Sequence, residues 1–308
     1  MSVAILFNQK STEEWFLKLK ESMPNVKIEV YPDIENYNEI EFLVTWKPHV
    51  NYVNEFPNLK VVQSVGAGVD NLLHTVLDGD VLVTRIVDST LKQDMYEHVL
   101  ACIMASMKNI IPYYKEQKLK NWSPKKYLTI SESTVTILGL GEIGSFVAEK
   151  LVALGFQVKG WSNSEKNLDK IQSFVGINQL DEAISNSDFI VNILPLTDLT
   201  QNILNQSFFN KLSDNTTIIN VGRGAHLVEE DLIAAIDSGK VKEAYLDVFR
   251  EEPLDKNHLF WENLSIYVTP HIASITNPNT AINQVVENIN RFLEDKELLN
   301  VVDLKRGY

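Results

Sequence analysis

Residues 134–144 read Thr-Val-Thr-Ile-Leu-Gly-Leu-Gly-Glu-Ile-Gly, an apolar strand running straight into glycines at 139, 141 and 144. A G-x-G-x-x-G spacing in that position restricts the chain to one kind of local structure. Gly139 permits a tight turn, Gly141 lets the backbone approach a bulky anion, and Gly144 lets the next helix pack closely on the strand it leaves. A helical pattern over 143–154 opens inside the motif, and a second apolar run follows at 157–161. N–H groups at the helix start then point toward the anion. The whole reads as a strand–helix–strand crossover with a place for the pyrophosphate of a dinucleotide.

The rest of the chain keeps this rhythm. Apolar runs at 3–7, 26–31, 42–46, 61–65 and 81–85 precede the motif, with a helical stretch at 13–23, and runs at 189–193, 217–220, 244–248 and 265–269 follow it. That alternation predicts an α/β fold with parallel sheets, and 308 residues are enough for two domains. Leu91, Met95, Val99, Cys102, Ile103, Met107 and Ile110 recur at helical spacing and predict one long, largely buried helix; the stretch 117–133 after it is polar. A last helix over 280–293 carries Ile282, Val285, Val286, Ile289, Phe292 and Leu293 on one stripe, and the first domain is one surface that could cover it.

Charge and composition narrow the function classes. Lys plus Arg total 28 against 41 Asp plus Glu, a net charge of −13 that repels a nucleic-acid backbone. No apolar stretch approaches the roughly 20 residues that span a bilayer, and the first ten residues lack the pattern of a signal peptide. A cytoplasmic protein with neither nucleic-acid nor membrane partners is expected. Cys102 is the sole cysteine, which excludes an internal disulfide and a thiolate-cluster metal site. His49, His74, His98, His226, His258 and His271 show no metal-ligand spacing, so no metal is expected.

Among these histidines His271 stands apart. It lies in Thr-Pro-His-Ile-Ala after the run at 265–269, at the carboxyl end of a strand, where α/β sheets place their sites, and suits acid–base work. Arg223, in Asn-Val-Gly-Arg-Gly-Ala, is placed either to clamp a carboxylate with two parallel bonds or to close an interdomain salt bridge. Glu252 follows the run at 244–248 and on its own could be a solvated loop charge. After 157–161 the chain continues Ser162-Asn163-Ser164-Glu165-Lys166, with no acid at the strand end to take a ribose 2′-OH. Two hydroxyls, an amide and Lys166 suit a 2′-phosphate, so NADP(H) is expected ahead of NAD(H), which stays possible.

Taken together, these segments resemble the D-isomer-specific 2-hydroxyacid dehydrogenase family over nearly the whole chain. The resemblance rests on Ser64-Val-Gly-Ala-Gly-Val-Asp70, Gly139 to Gly144, Leu194-Pro-Leu-Thr197 with Thr200, Asn220-Val-Gly-Arg-Gly224, Leu246-Asp-Val-Phe249 with Glu252-Pro-Leu254, and Thr269-Pro-His-Ile-Ala273. Within the family the chain looks most like the glyoxylate/hydroxypyruvate reductase A group, through Trp46-Lys-Pro48, Trp161-Ser, His226 and Leu259-Phe-Trp261. The resemblance implies two doubly wound parallel-sheet domains, a flavodoxin-like substrate domain (1–98 plus 276–308) and a Rossmann cofactor domain (99–275), with a cleft between them. It implies His271 as general acid, Glu252 holding the imidazole and favouring its protonated form, and Arg223 binding the carboxylate of a small 2-oxo or 2-hydroxy acid. Trp46 and the backbone of Gly66, Ala67 and Gly68 would meet the substrate. Gly139, Gly141, Glu142, Ile143, Gly144, Ser162, Asn163, Ser164, Lys166, Pro195, Leu196, Thr200, Val221, Asp247 and Ala273 would line the cofactor, with Asp247 facing the nicotinamide carboxamide. The family also implies a homodimer to which the helix beginning near Leu91 contributes.

Two positions bear on the choice within the family. The reductase A group usually carries Arg where Asn163 stands, which removes one contact to a 2′-phosphate, and Glu252 stands where formate dehydrogenases use Gln. A bulky Trp46 favours short substrates, so reduction of glyoxylate and hydroxypyruvate is the leading expectation. An NAD-dependent D-2-hydroxyacid dehydrogenase for larger acids is the alternative, and a non-catalytic dinucleotide-sensing protein is a more distant one.

Overall fold

A computed structural model of the protein describes residues 2–8, 10–70, 72 and 81–304. They form two compact units, one made of the residues up to Leu91 together with those from Thr276 onward, the other of Lys92–Ile275. His74 lies outside the described residues.

In the first unit β1 (Ser2–Phe7), β2 (Lys27–Val30), β3 (Ile40–Trp46), β4 (Val61–Ser64) and β5 (Leu82–Thr84) pair in the order β2-β1-β3-β4-β5, all parallel. This is the flavodoxin-like order, which reverses between β1 and β3. Successive side chains point to opposite faces, and both faces are covered. Val3, Ile5, Phe42 and Val44 are buried with Trp15 and Leu19 of the helix Glu13–Ser22 and with Ala281, Ile282, Val285 and Ile289 of the helix Pro278–Leu293. Ala4, Leu6, Leu43 and Val62 join Tyr52, Phe56 and Leu72 on the other face. The stripe expected on the last helix is therefore spent on the first sheet, except for Leu293, which is exposed. That helix starts where Asn277 accepts the Asn279 N–H at 2.9 Å and Pro278 takes the first turn.

In the second unit β6 (Thr134–Leu138), β7 (Gln157–Ser162), β8 (Ile171–Val175), β9 (Phe189–Asn192), β10 (Thr216–Asn220), β11 (Val241–Leu246) and β12 (Ile266–Val268) pair in the order β12-β11-β10-β9-β6-β7-β8, again all parallel. Counted from β6 this is the Rossmann order with one strand added. The edge strand β8 was not anticipated: only Ile171 and Phe174 of its five residues are buried, too few to mark a strand by alternation. The order reverses between β6 and β9, so the loops after these strands flank the crevice in which such sheets bind ligands.

The long helix spans Ser89–Met107 and stops short of the expected Ile110, which is exposed at the start of a separate helix, Ile110–Lys118, after the left-handed Asn109. Leu91 belongs to the core of the first unit, whereas Met95, Val99, Cys102, Ile103 and Met107 are buried with Val135, Ile137, Val191 and Ile219 of the second sheet. The change of unit consequently falls after Leu91 instead of after the expected residue 98, because Met95 already packs on the second sheet. Among the described residues no helix is long and apolar enough to cross a membrane.

Candidate active site

The glycine motif has the geometry its spacing requires. Gly139 sits at φ 104°, which L side chains rarely adopt, and a Cβ on Gly144 would lie 1.8 Å from the Gly139 carbonyl oxygen. By contrast, a Cβ on Gly141 would meet nothing within 4 Å, so the space over this glycine is open. Gly141 caps the helix Glu142–Leu154, leaving the first amides of that helix beside the open space. Ile143 packs on the second core, and the exposed Glu142 pairs with Lys92 at 2.5 Å. A cradle with a forced turn, a tight strand–helix approach and open space fits a dinucleotide pyrophosphate.

The other expected cofactor residues divide by burial. Pro195 and Leu196 are half-buried in the turn after β9, and Thr200 fastens that turn by donating to the Pro195 carbonyl at 2.7 Å and accepting the Thr197 N–H at 2.9 Å. Val221 and Ala273 are core residues beside the loops after β10 and β12. At the end of β7, Ser162 is buried and donates to the Ser164 carbonyl at 2.7 Å, which folds the turn and leaves Asn163 and Ser164 exposed, with Lys166 half-buried.

Arg223, Asp247, Glu252 and His271 follow β10, β11 and β12, three neighbouring strands of one parallel sheet, and so share its carboxyl edge. His271 Nδ1 lies 2.7 Å from Glu252 Oε2, and Glu252 Oε1 accepts the Phe249 N–H at 3.2 Å. The carboxylate thus orients the ring from one side and leaves Nε2 to exchange a proton with a ligand. His271 stands at φ 55°, a left-handed conformation that needs outside support. Asp247 supplies that support: Oδ1 accepts from Thr269 Oγ1 at 2.6 Å and the Ile272 N–H at 2.9 Å, Oδ2 accepts the Ala273 N–H at 2.8 Å, and its carbonyl takes the His271 N–H at 2.9 Å. This staple was not legible in the sequence, which marked Asp247 only through the family motif. Arg223 is in extended conformation and half-buried, with Nη1 donating to the Gly222 carbonyl at 2.7 Å.

Electrostatics place part of the long helix near Asp247. Burial pushes the Cys102 thiol up to about 12, and the charge of Asp247 adds to the effect. His98, one turn earlier, is pushed down from its ordinary value by burial, against a smaller opposing pull from Asp247. Neither residue had been singled out for the site, since nothing in its spacing refers to residue 247.

The remaining expected residues belong to the first unit. The Trp46 ring closes over Gly66, where a Cβ would lie 2.4 Å from it, and Gly66 N–H donates to Ser64 Oγ at 3.1 Å. Ala67 and Gly68 are half-exposed at the carboxyl edge of β4. Lys10, which sequence patterning did not mark, has its ammonium 4.2 Å from the centre of the Trp46 ring. Partial burial, and then the charge of Lys47, hold it below the usual lysine value.

The family model for the D-isomer specific 2-hydroxyacid dehydrogenase NAD binding domain matches residues 100–273. A glyoxylate/hydroxypyruvate reductase A of Yersinia enterocolitica is 36% identical over 302 residues, covering 96% of each chain. Among solved structures, a D-isomer specific 2-hydroxyacid dehydrogenase from Xanthobacter autotrophicus Py2 in complex with NADPH and MES has a TM-score of 0.94 at 35% identity, covering 100% of this chain and 99% of that one. An NADPH-dependent glyoxylate/hydroxypyruvate reductase from Sinorhizobium meliloti, in complex with NADP and sulfate, has a TM-score of 0.93 at 34% identity over 100% of both chains.

Proposed function

Since the chain belongs to the D-isomer specific 2-hydroxyacid dehydrogenase family, we propose that it reduces small 2-oxo acids, glyoxylate and hydroxypyruvate, to their 2-hydroxy acids, with NADPH preferred to NADH. The observation that carries this reading is the Glu252–His271 pair at 2.7 Å, on the same sheet edge as Arg223 and in the same unit as the glycine cradle. Bound NADPH supplies the hydride that adds to the carbonyl carbon. Arg223 binds the substrate carboxylate and draws charge from the carbonyl as it becomes an alkoxide. His271 gives its Nε2 proton to that oxygen, so that one hydride and one proton convert the C=O group to CH–OH. Glu252 holds the ring through Nδ1 and balances the imidazolium before the proton leaves.

Trp46 and the amides of Gly66, Ala67 and Gly68 contribute to substrate recognition, and the indole covering Gly66 favours short acids. Exposed Asn163 and Ser164, with Lys166, bind the 2′-phosphate without the Arg that the group usually carries. The relatives with NADPH or NADP bound support that preference, and a cytoplasmic location suits it. The catalytic set and the relatives' activities favour an enzyme over a sensor, and a short-acid reductase over a dehydrogenase of larger acids.

A homodimer is part of the proposal. The long helix has Leu91 buried in the first core and Met95, Val99, Cys102, Ile103 and Met107 in the second. Support comes from the segment after it, where Ile110, Tyr114, Leu119, Trp122 and Tyr127 are exposed, Trp122 to 95%. Light scattering should give twice the 35.0 kDa chain mass, and a monomer at all concentrations would remove this part.

Initial rates of NADPH and NADH oxidation with glyoxylate, hydroxypyruvate and a bulkier 2-oxo acid test the function. Faster turnover with NADPH and the two short acids is expected. NADH preference with the bulkier acid would replace the proposal with the alternative dehydrogenase, and no turnover with any pair would overturn the enzyme reading.

A further inference from the structure

The loops after β9 and β10 are joined by a buried polar network centred on His226, which is 0% exposed. Two donors converge on its Nδ1: the Arg223 N–H at 3.1 Å and Asn192 Nδ2 at 2.9 Å. Its Nε2 lies 3.2 Å from the Pro195 carbonyl, the same oxygen that receives Thr200 Oγ1. Asn192 Nδ2 also donates to Asn220 Oδ1 at 2.9 Å.

Backbone amides fix every orientation here, because an N–H can only donate. The Leu194 N–H points at Asn192 Oδ1 and the Gly222 N–H at Asn220 Oδ1, both at 3.3 Å, so neither side-chain amide can be turned over without opposing two donors. The Arg223 N–H requires Nδ1 of His226 to be unprotonated. The ring proton is then on Nε2 and is donated to Pro195. A Cβ on Gly222 would lie 3.0 Å from Asn192 Nδ2 and 3.1 Å from His226 Nδ1, which accounts for the glycine that precedes Arg223.

We infer that His226 is a positioning residue: through one neutral tautomer it ties the backbone of Arg223, on the substrate side, to the Pro195 turn, on the cofactor side. The inference rests on the function proposed above. Its two nitrogens serve different segments, so their losses separate experimentally. In His226→Asn the Oδ1 atom stands as far from Cα as Nδ1 did; it keeps the acceptor for Arg223 and Asn192 and drops the bond to Pro195. In His226→Gln the longer amide reaches Pro195 but leaves no acceptor beside the Arg223 N–H.

Both variants of the full chain would be compared with the wild type by NADPH fluorescence titration, by glyoxylate kinetics at saturating NADPH, and by melting without ligand. His226→Asn should weaken NADPH about tenfold while changing kcat/KM for glyoxylate no more than about threefold. His226→Gln should hold the NADPH Kd within about threefold while lowering kcat/KM for glyoxylate about ten- to hundredfold. A merely structural histidine would lower both quantities in parallel with melting temperature, or leave both unchanged, and either pattern overturns the inference. If only one variant folds, its own ratio of the two effects decides. If the wild type binds NADPH but does not reduce glyoxylate, the proposed function fails. The network then stands if His226→Asn weakens NADPH binding more than His226→Gln does, and falls if it does not.

Discussion

Replacing Asp247 with Asn isolates what holds His271, the proposed acid–base group, in place. The side chain is 2% exposed and accepts three hydrogen bonds, from Thr269 Oγ1, Ile272 N–H and Ala273 N–H. Asparagine keeps the shape and one oxygen, enough for Thr269 and Ile272, but turns an NH2 group toward the Ala273 N–H and leaves that donor buried without a partner. Such a loss costs about 1–3 kcal/mol. For a unit the size of Lys92–Ile275, about 2 kcal/mol lowers the melting point by about 4–8 °C. The loop it frees carries His271 at φ 55°, so kcat should fall about ten- to hundredfold as the ring loses its alignment. Differential scanning fluorimetry without ligand, followed by steady-state kinetics, reads both effects. Unchanged melting together with a raised KM for NADPH alone would refute the staple and leave Asp247 as a cofactor contact only.

Three further outcomes follow from the same geometry. Arg223→Ala should lower kcat/KM for glyoxylate about a hundredfold or more, through loss of a charge-assisted carboxylate contact, with the NADPH Kd within about twofold; a normal substrate profile would take Arg223 out of the site. Gly144→Ala should abolish saturable NADPH fluorescence, because its Cβ would fall 1.8 Å from the Gly139 carbonyl oxygen and force the strand and helix apart, and wild-type affinity would refute the close approach. Cys102, 8% exposed and with its thiol pushed up to about 12, should not react with a disulfide reagent at pH 8 until urea unfolds the chain, whereas rapid labelling of the native protein would show the site to be open.

The sequence disclosed most where one element type repeats. Apolar runs buried on both faces, such as Val3 to Leu6 and Phe189 to Val191, announce parallel strands because no polar alternation interrupts them. The glycine motif was equally legible, since each glycine answers a separate steric demand. β8 escaped because an edge strand with two buried residues has no such signature. The unit boundary shifted because one continuous helix serves two cores, and periodicity cannot say which core each turn meets. At the proposed site, motifs pointed to Arg223, Glu252 and His271, of which Glu252 and His271 are paired at 2.7 Å. The residues that hold them in place were less visible: the bonds of Asp247 to Ile272 and Ala273, and of His226 to Arg223 and Pro195, are backbone geometry that side-chain patterns do not encode.

The most direct test of the account is isotopic. Glyoxylate is incubated with NADPH deuterated at the transferable position of the nicotinamide, and the glycolate formed is analysed by mass spectrometry, with wild-type protein and with His271→Ala. The account predicts one deuterium on C2 with the wild type and a yield lowered about 10²- to 10⁴-fold in the variant, which still binds NADPH. Glycolate without deuterium, or an equal yield of labelled glycolate from His271→Ala, would contradict it.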